Sequence, residues 1–503
     1  MSHAPGAGSD ADPDAVASDA VASDAVASDA VATGAEAAAP EGLSWHRMHP
    51  VTPAVKAWKI LAVAAVIAVQ QAGENLRQAG DLLQGRGWLV VVGVIAAVVV
   101  LGLVYSAIAW RMTRFAVDDE SVYLHSGILF RQQRKARLDR LQAVDVVQPL
   151  LARILGLAEL KLEVAGGSGS GVSLAFLKED DAAALRAELL ARAAGVRRTE
   201  GEPAQPAAPE QKVLEVPPSR LVAAMLRSSA SFVLAFVVVL VVVVTVVTRE
   251  IGSVLVLIPG ILGAASFYWT RFSREFNFRA AISPDGIGLR HGLLEQRSQT
   301  VPPGRVQALQ LTQGPFWRRA GWWRVEMNVA GYSGGSEAQS AENVLLPVGD
   351  RDDTLLAVWL VLPDLGVADP RELLAGAMDG SGPDQGFTTP PRRARWLDPL
   401  AWRRTGFVVT DRALVIRTGR IVRRVAIVPH ERTQSLGLEQ GPLQRRLGVA
   451  TFTVHSTAGP VSPRVPHLDG YVARDLLTEQ SARARTARAG AGPELWLRPE
   501  ATP

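Results

Sequence analysis

Ser333 lies in Gly331-Tyr332-Ser333-Gly334-Gly335, a Gly-x-Ser-x-Gly spacing that can present a serine hydroxyl as an acyl-transfer nucleophile. That chemistry needs a strained strand-to-helix turn with His and acid partners close by. Here Ser333–Glu342 is a polar insertion between two alternating segments, so the stretch reads as a hairpin turn. The chain has no cysteine, which removes thiolate catalysis, disulfides and Cys-ligated metals. Its eight histidines are scattered, without His-Glu-x-x-His, and the close pair His46 and His49 reads as interfacial rather than ligating. No Gly-x4-Gly-Lys occurs, and the Gly166–Gly171 run lacks the strand-and-helix frame of a nucleotide loop. The expectation is a non-enzymatic protein with no catalytic, cofactor or metal site.

The residues that recur form another pattern. Gly127, Arg140, Gln142, Gln148, Arg153 and Gly156 return as Gly292, Arg305, Gln307, Gln313, Arg318 and Gly321. They return again as Gly419, Arg432, Gln434, Gln440, Arg445 and Gly448, with the same spacing each time. This is an internal repeat, and its copies lie far enough apart for each to be a small domain. The Arg-x-Gln pairs could line a ligand groove. They stand, however, at one end of a face whose middle is apolar, which favours a structural role, bonding carbonyls or a carboxylate where the strand turns. A second cluster sets Arg153, Arg318-Arg319 and Arg445-Arg446 on a short helix beside Phe316, Trp317, Trp322 and Trp323. Arginine with aromatic residues at a domain edge suits lipid headgroups or a protein partner. Phe316, Trp317, Arg318, Arg319, Arg445 and Arg446 are the candidate contact residues. Trp322 and Trp323 alternate in a strand, so at least one belongs to the core.

The elements that hold these residues follow from periodicity. From Arg140 the period is two: Arg140, Gln142, Val144, Val146 and Gln148 share one face of a half-buried strand. A short helix follows, opened by Pro149, Pro315 or Pro442 and stopped by the last glycine of the motif. A second alternating strand comes next, at Leu160–Val164, Trp323–Val329 and Thr451–His455. Each copy is therefore a mainly β domain.

Composition places these domains beside a membrane. The chain is 48% hydrophobic and only 20% charged, with long apolar runs. Residues 1–46 hold eight Asp or Glu and no Lys or Arg, so the remainder is basic. A basic remainder beside apolar runs favours an anionic-lipid surface over nucleic acid. Residues 1–45, with Asp-Ala-Val-Ala-Ser repeated, read as a disordered acidic tail. Ala57–Ala72 and Trp88–Trp110 make a first transmembrane hairpin (55–110), in which it is open whether 57–72 spans fully. Leu221–Val247 and Ile251–Thr270 make a second (220–271), giving four transmembrane helices. Arg and Lys flank the outer ends of both hairpins, which puts both termini in the cytoplasm of a multi-pass inner-membrane protein. The β domains are expected at 111–196, 272–366 and 395–489, joined by linkers 197–219 and 367–394 and followed by a tail, 490–503. Within Trp88–Trp110 and Leu221–Val247 the polar residues are Ser, Thr and Tyr apart from Arg227, which disfavours transport.

The two hairpins, the Phe115-Ala-Val-Asp, Ala280-Ala-Ile-Ser and Phe407-Val-Val-Thr strand starts, the repeated motif and a terminal helix carry a resemblance. Over about residues 55–489 the chain resembles the bacterial pleckstrin-homology-like (PH-like) membrane proteins of the YdbS/YdbT type. The resemblance implies an α+β membrane protein with three PH-like β-barrels, each capped by a C-terminal helix. It implies no catalytic residues. The first hairpin turns read Asp118-Asp119-Glu120, Pro284-Asp285-Gly286 and Asp411-Arg412, unlike the Lys/Arg-rich turn of inositide-binding domains, so no inositide pocket is carried over. The function expected is a membrane-tethered scaffold that gathers a protein partner or reads the inner leaflet. The alternatives are a membrane-bound serine hydrolase using Ser333, or a membrane-stress sensor. The partners expected are membrane lipids and another membrane or cytosolic protein, not nucleic acid, with self-association left open.

Overall fold

The structure is a computed structural model that describes residues 45–47, 100, 104, 107–108, 110–118, 120–127, 132–164, 172–193, 211–249, 257–283, 286–301, 303–330 and 343–490. The acidic tail, the run Ala57–Ala72, the Gly331–Gly335 stretch and the tail after 490 lie outside the described residues.

Each copy of the repeat builds three strands, a three-ten turn, three more strands and a helix. Copy 1 opens with a two-residue strand β1 (His46–Arg47) against β2 (Arg114–Val117), then β3 (Ser121–Ser126) and β4 (Gln132–Arg137). After the turn Leu138–Arg140 come β5 (Leu141–Pro149), helix α1 (Leu150–Ile154), β6 (Leu157–Val164), β7 (Val172–Lys178) and helix α2 (Glu179–Ala193). Strand β8 (Gln211–Glu215) and helices α3 (Pro218–Leu226), α4 (Ser229–Thr248) and α5 (Leu257–Glu275) lead into copy 2. Copy 2 holds β9 (Arg279–Ser283), β10 (Gly286–His291), β11 (Glu295–Val301), β12 (Val306–Gln313), β13 (Trp323–Val329), β14 (Val344–Gly349) and helix α6 (Arg351–Val361). Helix α7 (Pro370–Asp379) then leads to copy 3. Its strands are β15 (Gly406–Val409), β16 (Ala413–Thr418), β17 (Arg423–Pro429), β18 (Ser435–Glu439), β19 (Val449–His455) and β20 (Arg464–Asp469). Helix α8 (Pro442–Arg446) follows β18, and α9 (Gly470–Gly490) closes the copy.

The copies are not separate barrels. The last three strands of copy 1 and the first three of copy 2 share a seven-stranded sheet, in the order β7-β6-β5-β11-β10-β9-β8. Copies 2 and 3 share a six-stranded sheet, β14-β13-β12-β17-β16-β15. The ends of the tandem are a four-stranded sheet, β1-β2-β3-β4, and a three-stranded sheet, β18-β19-β20. The strand after the Arg-x-Gln motif therefore pairs with the next copy.

This sharing fixes where apolar residues go. In β16 and β17, Ala413, Val415, Val425 and Ile427 pack into the core of copy 2, while Leu414, Ile416, Ala426 and Val428 pack into that of copy 3. Both faces are buried, so these strands read as apolar runs rather than alternations.

The apolar segment expected at Leu221–Val247 is broken. Helix α3 ends at Leu226, and its Leu221, Ala224 and Met225 are buried on the domain side. Ser228 caps a new helix, α4, by accepting from the Ser231 N–H. Arg227 makes the corner and lies over the Trp322 ring, 5.1 Å from its centroid. Among the described residues α4 is the one helix long and apolar enough to cross a membrane. Four transmembrane helices are therefore not established. Ala57–Ala72 lies outside the described residues, and only scattered helical residues of Trp88–Trp110 are described. Helix α5 carries Arg271, Arg274 and Glu275 at its end.

Candidate functional site

The six motif glycines all have left-handed backbone: φ is 109° at Gly127, 115° at Gly292 and 72° at Gly419, and 64°, 66° and 62° at Gly156, Gly321 and Gly448. At Gly292 and Gly419 an added Cβ would collide with the carbonyl oxygens of Glu295 and Val422 across a tight hairpin. The glycines recur because L side chains are strained there.

The glutamines pin one strand to the next. Gln313 Nε2 donates to the Trp322 carbonyl at 3.2 Å, and Gln440 Nε2 donates to the equivalent Val449 carbonyl at 3.1 Å. Gln307 Nε2 donates to the Arg305 carbonyl at 3.2 Å. Gln148 occupies the same buried place in copy 1. The side chains of Arg140 and Gln142 lie outside the described residues. Arg305 Nη2 reaches back to the Leu141 carbonyl, 3.4 Å away in copy 1. These are contacts inside and between copies.

The short-helix arginines span the joints. Arg153 Nη1 donates to Gln296 Oε1 at 3.5 Å, at the start of β11 in the next copy. Arg318 Nη2 donates to the carbonyls of Arg420 and Ile421, in the equivalent hairpin of copy 3. Arg445 and Arg446 of the third copy are exposed. Sequence reasoning found these positions but could not see that they join successive copies.

The aromatic corner faces the membrane-length helix only in part. Phe316 stacks on Phe232 of α4, with centroids 3.7 Å apart. Trp317, expected at a contact surface, is turned inward: it is 6% exposed and its Nε1 donates to the Ala224 carbonyl of α3 at 2.9 Å. An indole with its N–H satisfied is stable in a core, which is why the aromatic run divides this way. Trp323 is also buried, and Arg319 follows Arg318 on the same three-ten helix.

A buried ionic knot fixes the exit of α5. Arg324 Nη1 lies 2.7 Å from Glu275 and its Nε lies 2.8 Å from Glu326, while Arg271 bonds the other Glu275 oxygen at 3.3 Å. Burial alone would lower the Arg324 pKa; the Glu275 and Glu326 carboxylates outweigh it and hold the guanidinium charged. Ser231 and Tyr268 hydroxyls, 2.6 Å apart, tie α4 to α5.

A second arginine cluster was not foreseen. Arg404 donates to the carbonyls of Ala377, Met378 and Gly380, and Arg417 to those of Gly376, Gly382 and Arg404. Together they satisfy the free carbonyls at the C-terminal end of α7. Burial, then the nearby Arg423 and Arg417, push Arg404 down to about 10. Among the described residues no carboxylate bonds either guanidinium, and the arrangement is a helix cap.

Among the described residues no group of three or more His, Asp or Glu could hold a metal ion. The family model for the bacterial PH domain matches residues 61–193, 229–355 and 387–484. No curated protein and no solved structure matches the chain.

Proposed function

This chain belongs to the bacterial PH domain family, and from that membership we propose a membrane-tethered, non-enzymatic scaffold. Its three PH-like domains would gather a protein partner, or read lipid, at the inner leaflet. The observation that carries the reading is α4: twenty residues, none of them buried, braced into copy 2 through Phe232–Phe316 and Ser231–Tyr268. An apolar helix exposed along its whole length is stable in hydrocarbon, where each backbone group is satisfied internally. Two of the family matches begin within or just before apolar segments and the third takes in none, which supports a hairpin ahead of copies 1 and 2 only. Four helices in two hairpins, with both termini cytoplasmic, remain part of this proposal.

The chain has no cysteine, so single cysteines report topology cleanly. In intact cells an impermeant maleimide should label Arg249→Cys, at the end of α4. It should label the exposed Leu443→Cys of copy 3 only after permeabilisation. Equal labelling of both before permeabilisation would overturn the topology. Ser333→Ala should leave every phenotype unchanged; loss of an esterase activity in that variant would replace the scaffold with the hydrolase reading.

A further inference from the structure

The two joints inside the chain are built to one register. At the first, Gln148 of β5 lies opposite Gln296 of β11, with Val147 opposite Arg297 and Val146 opposite Ser298. At the second, Gln313 of β12 lies opposite Arg423 of β17, with Thr312 opposite Arg424 and Leu311 opposite Val425. In repeat coordinates these are the same three pairs. Each joint is fastened by the short-helix arginine, Arg153 or Arg318, reaching the following copy.

A tandem of three copies makes two such joints and leaves one half-joint at each end. The strand equivalent to β5 and β12 in copy 3 is β18, and the strand equivalent to β11 and β17 in copy 1 is β4. Both are terminal strands of their sheets among the described residues. The other outer strands differ: β7, β14 and β20 are terminal in every copy, and the first strand of each copy is met by β1, β8 or the Thr388–Phe407 bridge.

The open edges also bear the marks of an uncovered joint. Leu311 is fully buried, whereas its equivalent Leu438 is 39% exposed. Strand β18 reads Ser-Leu-Gly-Leu-Glu, without the Lys or Pro that blunts a free edge. Strand β4 is basic, with Arg134, Lys135 and Arg137. Basic residues do not bar pairing at this edge, because Arg297, Arg423 and Arg424 occupy it in the paired copies. The Arg445 side chain is exposed and bonds no other copy among the described residues, while its equivalents fasten the joints.

We propose that β18 of one chain pairs with β4 of a second copy of this chain, extending the tandem head to tail in the register of the internal joints. Glu439 then faces Gln132, Leu438 faces Gln133, Gly437 faces Arg134, Leu436 faces Lys135 and Ser435 faces Ala136. The interface is heterologous, since two different edges meet, so the assembly closes into a ring or continues as an array. It does not depend on the scaffold reading, because the joint is a property of the edges whatever the domains bind.

The test uses the full chain in its membrane, with differently tagged Leu438→Cys and Gln133→Cys chains expressed together under mild oxidation. Opposed positions in such a pair fall within disulfide reach. A second pair, Glu439→Cys with Gln132→Cys, covers the alternate class of cross-strand position. A mixed disulfide dimer from either pair, with none from a single variant alone, is expected, and the double variant should give a ladder or one closed oligomer. Adding Leu438→Arg, which sets like charge diagonally across from Lys135 on the same face of the sheet, should abolish cross-linking through the second pair. Absence of mixed dimers from both pairs, or Leu438→Cys chains linking to each other, would overturn the proposal. The topology labels at Arg249 and Leu443 read the scaffold's membrane placement separately, so the two failures are distinguishable.

Discussion

With the Asp384 carboxylate acting only from a distance, Arg417 shows how a charge is kept in this core mainly by carbonyl oxygens. It is fully buried, its guanidinium lies 3.9 Å from the Phe387 ring centroid, and its donors meet the carbonyls of Gly376, Gly382 and Arg404. Arg417→Met removes those donors and leaves the Arg404 carbonyl and the part-buried Gly382 carbonyl short of a partner, while Gly376 keeps the Gly380 N–H; each lost bond costs about 0.5–1.5 kcal/mol or more. A loss of about 2 kcal/mol is expected in chemical denaturation of the solubilised chain. Arg417→Lys should recover only part of it, because an ammonium cannot reproduce the planar fork. A loss below about 1 kcal/mol for Arg417→Met would show that the cap is dispensable. His430 contributes to the pH dependence of copy 3. Its ring accepts from Gln480 Nε2 at 2.8 Å and donates to the Thr410 carbonyl at 2.9 Å, the pattern of a neutral imidazole. Burial lowers its pKa from the usual 6.5, against the Thr410 bond; Arg483 lowers it further, while Glu431 and Asp411 raise it. The unfolded chain then binds a proton that the fold refuses, so stability is full above about pH 6.5 and falls as pH drops toward the folded value. His291 and His467 shift the same way, so the readout is a difference. The melting temperature of His430→Gln should fall less steeply between pH 7 and 5 than that of the unaltered chain; parallel slopes would sink this assignment.

At the scale of elements, the brace between α3, α4 and copy 2 ties the long apolar helix to the β domain. Trp317 fills the core behind that brace and satisfies a carbonyl near the end of α3. Trp317→Phe keeps most of the volume and loses the hydrogen bond, an expected cost of about 0.5–1.5 kcal/mol. Trp317→Ala should cost about 3–5 kcal/mol and loosen α3, seen as faster amide exchange across Pro218–Leu226. Unchanged exchange there would show that α3 is held by other contacts. The division of Trp317 from Phe316 was not readable in the sequence, because both sit in one short apolar run whose period is too brief to assign a face. The break at Arg227–Ser228 was readable in principle, as a charge followed by a cap residue inside an apolar segment. The repeat itself was plain, since left-handed glycines and glutamine pins depend on local geometry that identical spacing preserves. What lay hidden was the edge pairing between copies, which depends on surfaces hundreds of ångströms of extended chain apart only in sequence terms. The sole trace of it was the unbroken apolar character of Leu414–Ile416 and Val425–Val428, the mark of strands buried on both faces.

For the whole molecule, shared sheets imply shared stability. The outward face of the first sheet of copy 3 (Ala413, Val415, Val425 and Ile427) is completed by copy 2. Excising residues 396–489 would expose three branched side chains whose burial is worth about 1.5–3 kcal/mol each, together with the unpaired edge of β17. That loss is comparable to the whole stability of an ordinary domain, about 5–15 kcal/mol. The isolated segment 396–489 is therefore expected to be unfolded or aggregated, whereas 211–490 in detergent should melt in one transition spanning copies 2 and 3. Calorimetry of both fragments checks this. A well-folded 396–489 with native-like exchange protection would show that the copies are separable barrels whose contact is incidental. One transition for the longer fragment would show that copies 2 and 3 unfold as one cooperative unit. The shared sheet β14-β13-β12-β17-β16-β15 would then make copies 2 and 3 one unit of stability rather than two modules on a string.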